Sequence, residues 1–113
     1  MPYIEAKVTV PVIPEKKEVI KAKFGKAVSL IRKPESYLMV GIEDNRDLWF
    51  AGEKMEKGAY VSVSAFGSPA RADCGRMAAE ITKILAEELD IPGDHVYVTF
   101  HPIDTWAWDG SLF

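Results

Sequence analysis

The chain has 113 residues, 48% hydrophobic and 27% charged, with a net charge of −3; residues 1–113 are read as one domain with room for a core, and not as two. The acidic balance argues against a general nucleic-acid binder, and the one short basic cluster, Lys21, Lys23 and Lys26, falls at helical spacing like a solvated helix face. No apolar run approaches the roughly 20 residues of a membrane span, and Glu5 and Lys7 interrupt the place of a signal-peptide core; a cytoplasmic location is the default expectation, and release without a signal peptide is compatible with it.

From Tyr3 to Val10 the chain alternates as a strand, with Ile4, Ala6, Val8 and Val10 on one face. Pro11 and Pro14 break it, and Pro14 suits the first turn of a helix. Between Glu15 and Arg32 apolar residues recur at Ile20, Phe24, Ala27, Val28 and Ile31, which predicts an amphipathic helix. Pro34 stops it, and Tyr37 to Ile42 reads as a short, largely buried strand. The polar stretch 43–57 holds an apolar island at Leu48, Trp49 and Phe50, fitting a short strand or a packed loop. Ala59 to Phe66 is again a strand, with Tyr60, Ser62 and Ser64 opposite Val61, Val63 and Ala65, and Gly67-Ser68-Pro69 turns the chain.

A second amphipathic helix is expected from Asp73 to Leu89, along Met77, Ile81, Ile84, Leu85 and Leu89. It contains Cys74, the sole cysteine, so there is no intrachain disulfide and no cysteine-built metal cage. Pro92 and Gly93 end that helix, His95 to Phe100 is a strand, and Trp106 and Trp108 alternate on a short C-terminal strand. His95 and His101 have no carboxylate at ligand spacing, and Asp104 and Asp109 form no convincing acid–base pair, so neither a metal nor another cofactor is expected.

The two halves resemble each other. Residues 33–40, Lys-Pro-Glu-Ser-Tyr-Leu-Met-Val, align with residues 91–98, Ile-Pro-Gly-Asp-His-Val-Tyr-Val, an offset of 58 (33 to 91). The same offset carries the first strand onto the one starting near Ala59. A duplicated β-α-β unit predicts an α/β (α+β) fold, a four-stranded mixed sheet with two helices on one face and parallel strands within each unit. The uncovered sheet face is expected to carry Ile, Val, Tyr and Phe and to pack against other subunits in a closed ring.

Met1-Pro2 is a favourable context for methionine removal, which would expose a secondary amine at the start of a strand. A free α-amine titrates at about 7.7–8.0. Burial and a neighbouring cation, with Lys33 the candidate, both disfavour its charged form, so it could act as a neutral base. By themselves Lys33 also suits a helix C-terminal cation and Tyr97 an ordinary strand aromatic.

Met1-Pro2-Tyr3-Ile4, Lys33-Pro34 with Tyr37, Phe50 with Gly52, Phe66-Gly67, Val96-Tyr97-Val98 and the tail Trp108-Asp109-Gly110-Ser111-Leu112-Phe113 occur in order and at near-matching spacing. In these the chain resembles the macrophage migration inhibitory factor family of the tautomerase superfamily, nearly end to end. The resemblance implies a homotrimer with active sites between subunits, and keto–enol tautomerisation of an aromatic 2-oxo acid such as phenylpyruvate. It implies Pro2 as the proton-shuttling base, Lys33 as the ligand of substrate oxygen, and the backbone N–H of Phe66 as a carboxylate contact. Tyr97 matches a pocket tyrosine from the adjacent subunit, and Trp106 and Phe113 match the apolar wall.

Five positions depart from the pattern. Thr99 stands where the family's mammalian cytokine has asparagine, Ala65 replaces a serine, and Trp106 is bulkier than the usual valine. Gly58 and Val61 replace a Cys-x-x-Cys pair, so no thiol oxidoreductase activity carries over. The alternatives are a cytokine-like module that binds a host receptor with vestigial activity, or a decarboxylase or hydratase using the same proline.

Overall fold

The computed structural model describes residues 1–113. In chain order it forms β1 (Pro2–Val8), α1 (Pro14–Ala27), β2 (Met39–Glu43), β3 (Trp49–Phe50), β4 (Glu53–Lys54), β5 (Ala59–Phe66), α2 (Arg71–Leu89), β6 (Val96–Ile103), β7 (Ala107–Trp108) and β8 (Ser111–Leu112). β3–β4 and β7–β8 are small hairpins, and the other four strands form one sheet in the order β2-β1-β5-β6. β1 pairs parallel with β2, and β5 parallel with β6, through the two crossover helices. The two units meet along the antiparallel β1–β5 pair, which makes the sheet mixed, as the repeat predicts.

Period-two alternation decides which side chains meet the helices. Ile4, Ala6 and Val8 of β1 and Ala59, Val61, Val63 and Ala65 of β5 are buried against Ile20, Phe24 and Ala27 of α1 and Met77, Ile81, Ile84 and Leu85 of α2. Val40, Ile42, Val96, Val98 and Phe100 of the two outer strands pack around that core. Both helices therefore cover one face.

The other face is more polar than its expected Ile, Val, Tyr and Phe. Cross-strand partners share a face, and register places Tyr3, Ser64 and His101 in one row, Glu5, Ser62 and Thr99 in the next, and Lys7, Tyr60 and Tyr97 in a third. The aliphatic residues of the inner strands all sit on the alternate positions and face the helices, and on the outer strands only Met39 and Ile103 lie on the open side, paired with Tyr3 and Phe66. Tyrosines, hydroxyls and a Glu5–Lys7 pair at 3.7 Å remain on the open side.

Several boundaries also move. β1 ends at Val8, where the Thr9 hydroxyl meets the Gly58 N–H at 2.9 Å. The first helix ends at Ala27 and passes into a 3₁₀ turn, Val28–Ile31, closed by Arg32 at φ 61°. Pro34 disfavours the helical region for Lys33, so the helix has to stop by Arg32. Tyr37 lies in a further 3₁₀ turn and not in the strand. α2 starts two residues early at Arg71, and β6 runs on to Ile103, because Pro102 is tolerated on an edge strand.

Glu88 clamps the helices together: Lys16 Nζ donates to Oε1 at 3.0 Å and Lys23 Nζ to Oε2 at 2.6 Å. Hydrogen bonds from Lys23, then Lys16, hold its carboxyl below the usual carboxylate range. The unfolded chain then takes up this proton first as pH falls, so the stabilisation is present above about pH 4.5 and lost below it. Glu88→Gln should lower the urea midpoint at pH 7 and show a smaller drop between pH 6 and pH 3 than the parent. An unchanged pH slope would remove Glu88 from the acid transition.

Candidate active site

Three elements converge at one end of the central strand pair. β1 begins at Pro2, which is buried and lies opposite Ala65 near the end of β5. The Phe66 N–H donates to the Met1 carbonyl at 2.9 Å. Antiparallel ladders alternate, so Pro2–Ala65 is a non-hydrogen-bonded pair and the Pro2 nitrogen turns away from β5. On its other side β2 begins only opposite Tyr3, so no strand reaches that nitrogen. Proline, with no N–H to give a ladder, loses nothing there.

Lys33 arrives from the turn after α1. Its half-buried side chain donates from Nζ to the Phe66 carbonyl at 2.7 Å. The two ends of the Phe66 residue thus meet the head of the chain and the ammonium of Lys33. One of three ammonium donors is committed to that carbonyl, leaving two for another acceptor. Past Phe66, Gly67 at φ 91° sends the chain away, its N–H donating to the Ile103 carbonyl at 2.9 Å.

The α-amine at the head of the chain, borne here on Met1, is held below its ordinary 8.0 by burial first and then by the Lys33 charge. Both causes disfavour the protonated form.

Aromatic rings flank this group. Phe66 and Phe113 lie 5.7 Å apart between centroids, and Phe113 donates its N–H to the Trp106 carbonyl at 3.0 Å, closing the β7–β8 hairpin beside β5. Tyr37 meets Trp108 edge-on at 6.0 Å. Pro2, Lys33, Phe66, Phe113 and Trp106 therefore occupy one region of the molecule.

Ala65 presents no surface to it, since its methyl is 2% exposed and belongs to the core. Tyr97 and Thr99 lie elsewhere in the same chain. Tyr97 pairs with Tyr60, five residues along β5 from Ala65, roughly 17 Å at the rise of a strand. It is 63% exposed and packs against Phe50 at 5.6 Å, beside a 120 Å³ cavity lined also by Leu48, Trp49 and Tyr60. The Thr99 hydroxyl is 2.8 Å from both the Tyr60 hydroxyl and His101 Nε2. Sequence reading passed over Tyr60 and left Phe50 unassigned, because both contacts cross between elements far apart in the chain.

A duplicated β-α-β sheet with a proline opening its first strand is the tautomerase superfamily fold. The family model described as macrophage migration inhibitory factor matches residues 1–113, so the chain belongs to that family. A macrophage migration inhibitory factor homolog of Brugia malayi is 25% identical, over 100% of this chain and 99% of the relative. The crystal structure of Leishmania major MIF2 superposes with a TM-score of 0.93 at 26% identity, covering 100% of this chain and 97% of that one. The protein Pt0534, solved after inactivation by 2-oxo-3-pentynoate, shares the fold with a TM-score of 0.79 at 20% identity, over 89% and 85% of the two chains.

Lys33→Met should move the titration of the terminal amine to higher pH, still short of 8.0 because burial remains. An NMR titration of the N-terminal residue measures it, and an unmoved midpoint would show that the Lys33 charge does not reach the amine.

Proposed function

We propose that this chain is a keto–enol tautomerase whose base is the Pro2 amine, exposed when Met1 is removed, and whose substrate is a small aromatic 2-oxo acid. The observation that carries the reading is the Phe66 N–H on the Met1 carbonyl. That oxygen is bonded to the carbon attached to the Pro2 nitrogen, so it marks where a substrate oxygen would lie beside the amine. Excision of Met1 uncovers the secondary amine and frees the Phe66 N–H in the same step.

The chemistry follows from what is then available. The neutral Pro2 nitrogen takes a proton from C3 of the 2-oxo acid, and the C–H electron pair becomes the C2–C3 double bond of the enolate. The charge that develops on the C2 oxygen is met by a free N–H of Lys33, already fixed beside the amine, which is electrostatic stabilisation without reorganisation. The protonated proline returns its proton to that oxygen, giving the enol; the reverse sequence gives the ketone. The Phe66 N–H holds the substrate carboxylate, and the rings of Phe66, Phe113 and Trp106 favour a flat aromatic group. No cofactor takes part in these steps.

Tyr97 enters the site from another copy of the chain in this reading. It cannot reach its own Pro2, it stands exposed on β6, and β6 and β2 are edge strands with unpaired outer sides. A homotrimer satisfies these constraints. Light scattering should give a mass about three times the 12.6 kDa chain, and a monomeric mass would remove Tyr97 from the site.

Processed protein should accelerate phenylpyruvate tautomerisation. Pro2→Gly, or an extra residue that keeps the amine blocked, should lower kcat/KM by about 10²–10⁴-fold, the usual worth of a general base. Because 2-oxo-3-pentynoate inactivated a protein of this fold, it is a suitable label, and mass spectrometry should find it on Pro2. Turnover that survives Pro2→Gly overturns the assignment, and release of carbon dioxide would redirect it to a decarboxylase.

A further inference from the structure

The turn that delivers Lys33 has an unusual backbone. Five non-glycine residues have positive φ, and three of them are Asn or Asp, which tolerate that region. Arg32, at φ 61°, is one of the two that do not; its Cβ crowds the following carbonyl in this conformation. The turn is closed by the Arg32 N–H on the Ser29 carbonyl at 2.9 Å and the Lys33 N–H on the Val28 carbonyl at 3.3 Å.

The Arg32 side chain is 82% exposed, so packing does not hold it. It makes one polar contact, from Nε to Asp73 Oδ2 at 3.1 Å, across 41 residues of sequence. Asp73, in the first turn of α2, is 5% exposed, a rare burial for a carboxylate. Its other oxygen is taken by Arg76 on the same helix. A carboxylate that served only the start of α2 would need the helix terminus and Arg76. The bond to Arg32 is an addition, and it ends one residue before Lys33.

We propose that Asp73 is a positioning residue: anchored to α2 by Arg76, it holds Arg32 in the left-handed turn and so keeps Lys33 Nζ on the Phe66 carbonyl beside the terminal amine. The inference rests on the reading of Pro2 and Lys33 as the working pair. Asp73 touches neither substrate nor Pro2; it acts through the direction in which the chain leaves Arg32.

The test uses processed protein with [15N]proline, so that the amine titration reports the Lys33 charge independently of turnover. Asp73→Ala and Arg32→Gln each cut the tether, from opposite ends. Each should shift the amine titration to higher pH and lower kcat for phenylpyruvate by about tenfold, less than the ~10²-fold that a 1 Å misplacement can cost. KM should change less. Glycine enters the left-handed region freely, so Arg32→Gly in the Asp73→Ala chain should restore both readings to within a few-fold of the parent. A structural role of Asp73 alone would lower the melting temperature, leave the amine titration in place and gain nothing from Arg32→Gly, and that result overturns the proposal. Should Asp73→Ala fail to fold, Arg32→Gln at an exposed position decides the question. Absence of turnover in the parent protein would count against the tautomerase reading alone, since the amine titration still tells whether Asp73 positions Lys33.

Discussion

The antiparallel pairing of β1 with β5 is the constraint on which everything else depends. Within each β-α-β unit the strands are parallel, so each unit by itself would leave its first strand beginning at an open end of the sheet. Joining the units through β1 and β5 brings the beginning of one strand against the end of another. Because β5 ends at Phe66, the head of the chain meets a residue whose N–H and carbonyl are both within reach. The same pairing sets the alternation that sends Pro2 inward with Ile4, Ala6 and Val8. Burial of Pro2 is thus a consequence of register and not of a purpose-built pocket.

Much of this was legible in the sequence because two signals were strong. Periodicity located both helices and the two inner strands, and Ala59–Phe66 falls where alternation puts it. The 58-residue offset from 33 to 91 gave the duplication and with it the parallel pairs. The placement of Lys33 and Phe66 beside Pro2 came from family resemblance; nothing in their local sequence says that residues 33 and 66 meet. The long-range contacts were not legible in any form. Arg32 looks like one more helix residue, and Asp73 like an ordinary acidic residue in a first turn; only the fold shows them bonded. The polarity of the open sheet face was misjudged for a similar reason. A composition rich in Ile and Val does not say that nearly all of them take the helix-facing register.

That polarity bears on Thr99. Placed on the open face between Tyr60 and His101, its hydroxyl is 2.8 Å from each. A hydroxyl offers one donor and two acceptor sites, so a threonine with two partners has little left for a substrate. The larger amide of an asparagine could extend beyond such a network. Thr99 thus links Tyr60 to His101 in a chain of hydrogen bonds across the open face.

Ala65 acts at the other end of the sheet in the opposite sense. It is the cross-strand neighbour of Pro2 in a non-hydrogen-bonded pair, where side chains approach most closely. Its methyl lies in the core, beside a 50 Å³ cavity lined by Ile31, Val63, Cys74 and Phe100. A serine hydroxyl at this position would need a partner in apolar surroundings. Alanine makes no such demand. Its methyl belongs to the core and the Pro2 nitrogen turns away from β5, so the alanine adds no polar contact and does not line the amine.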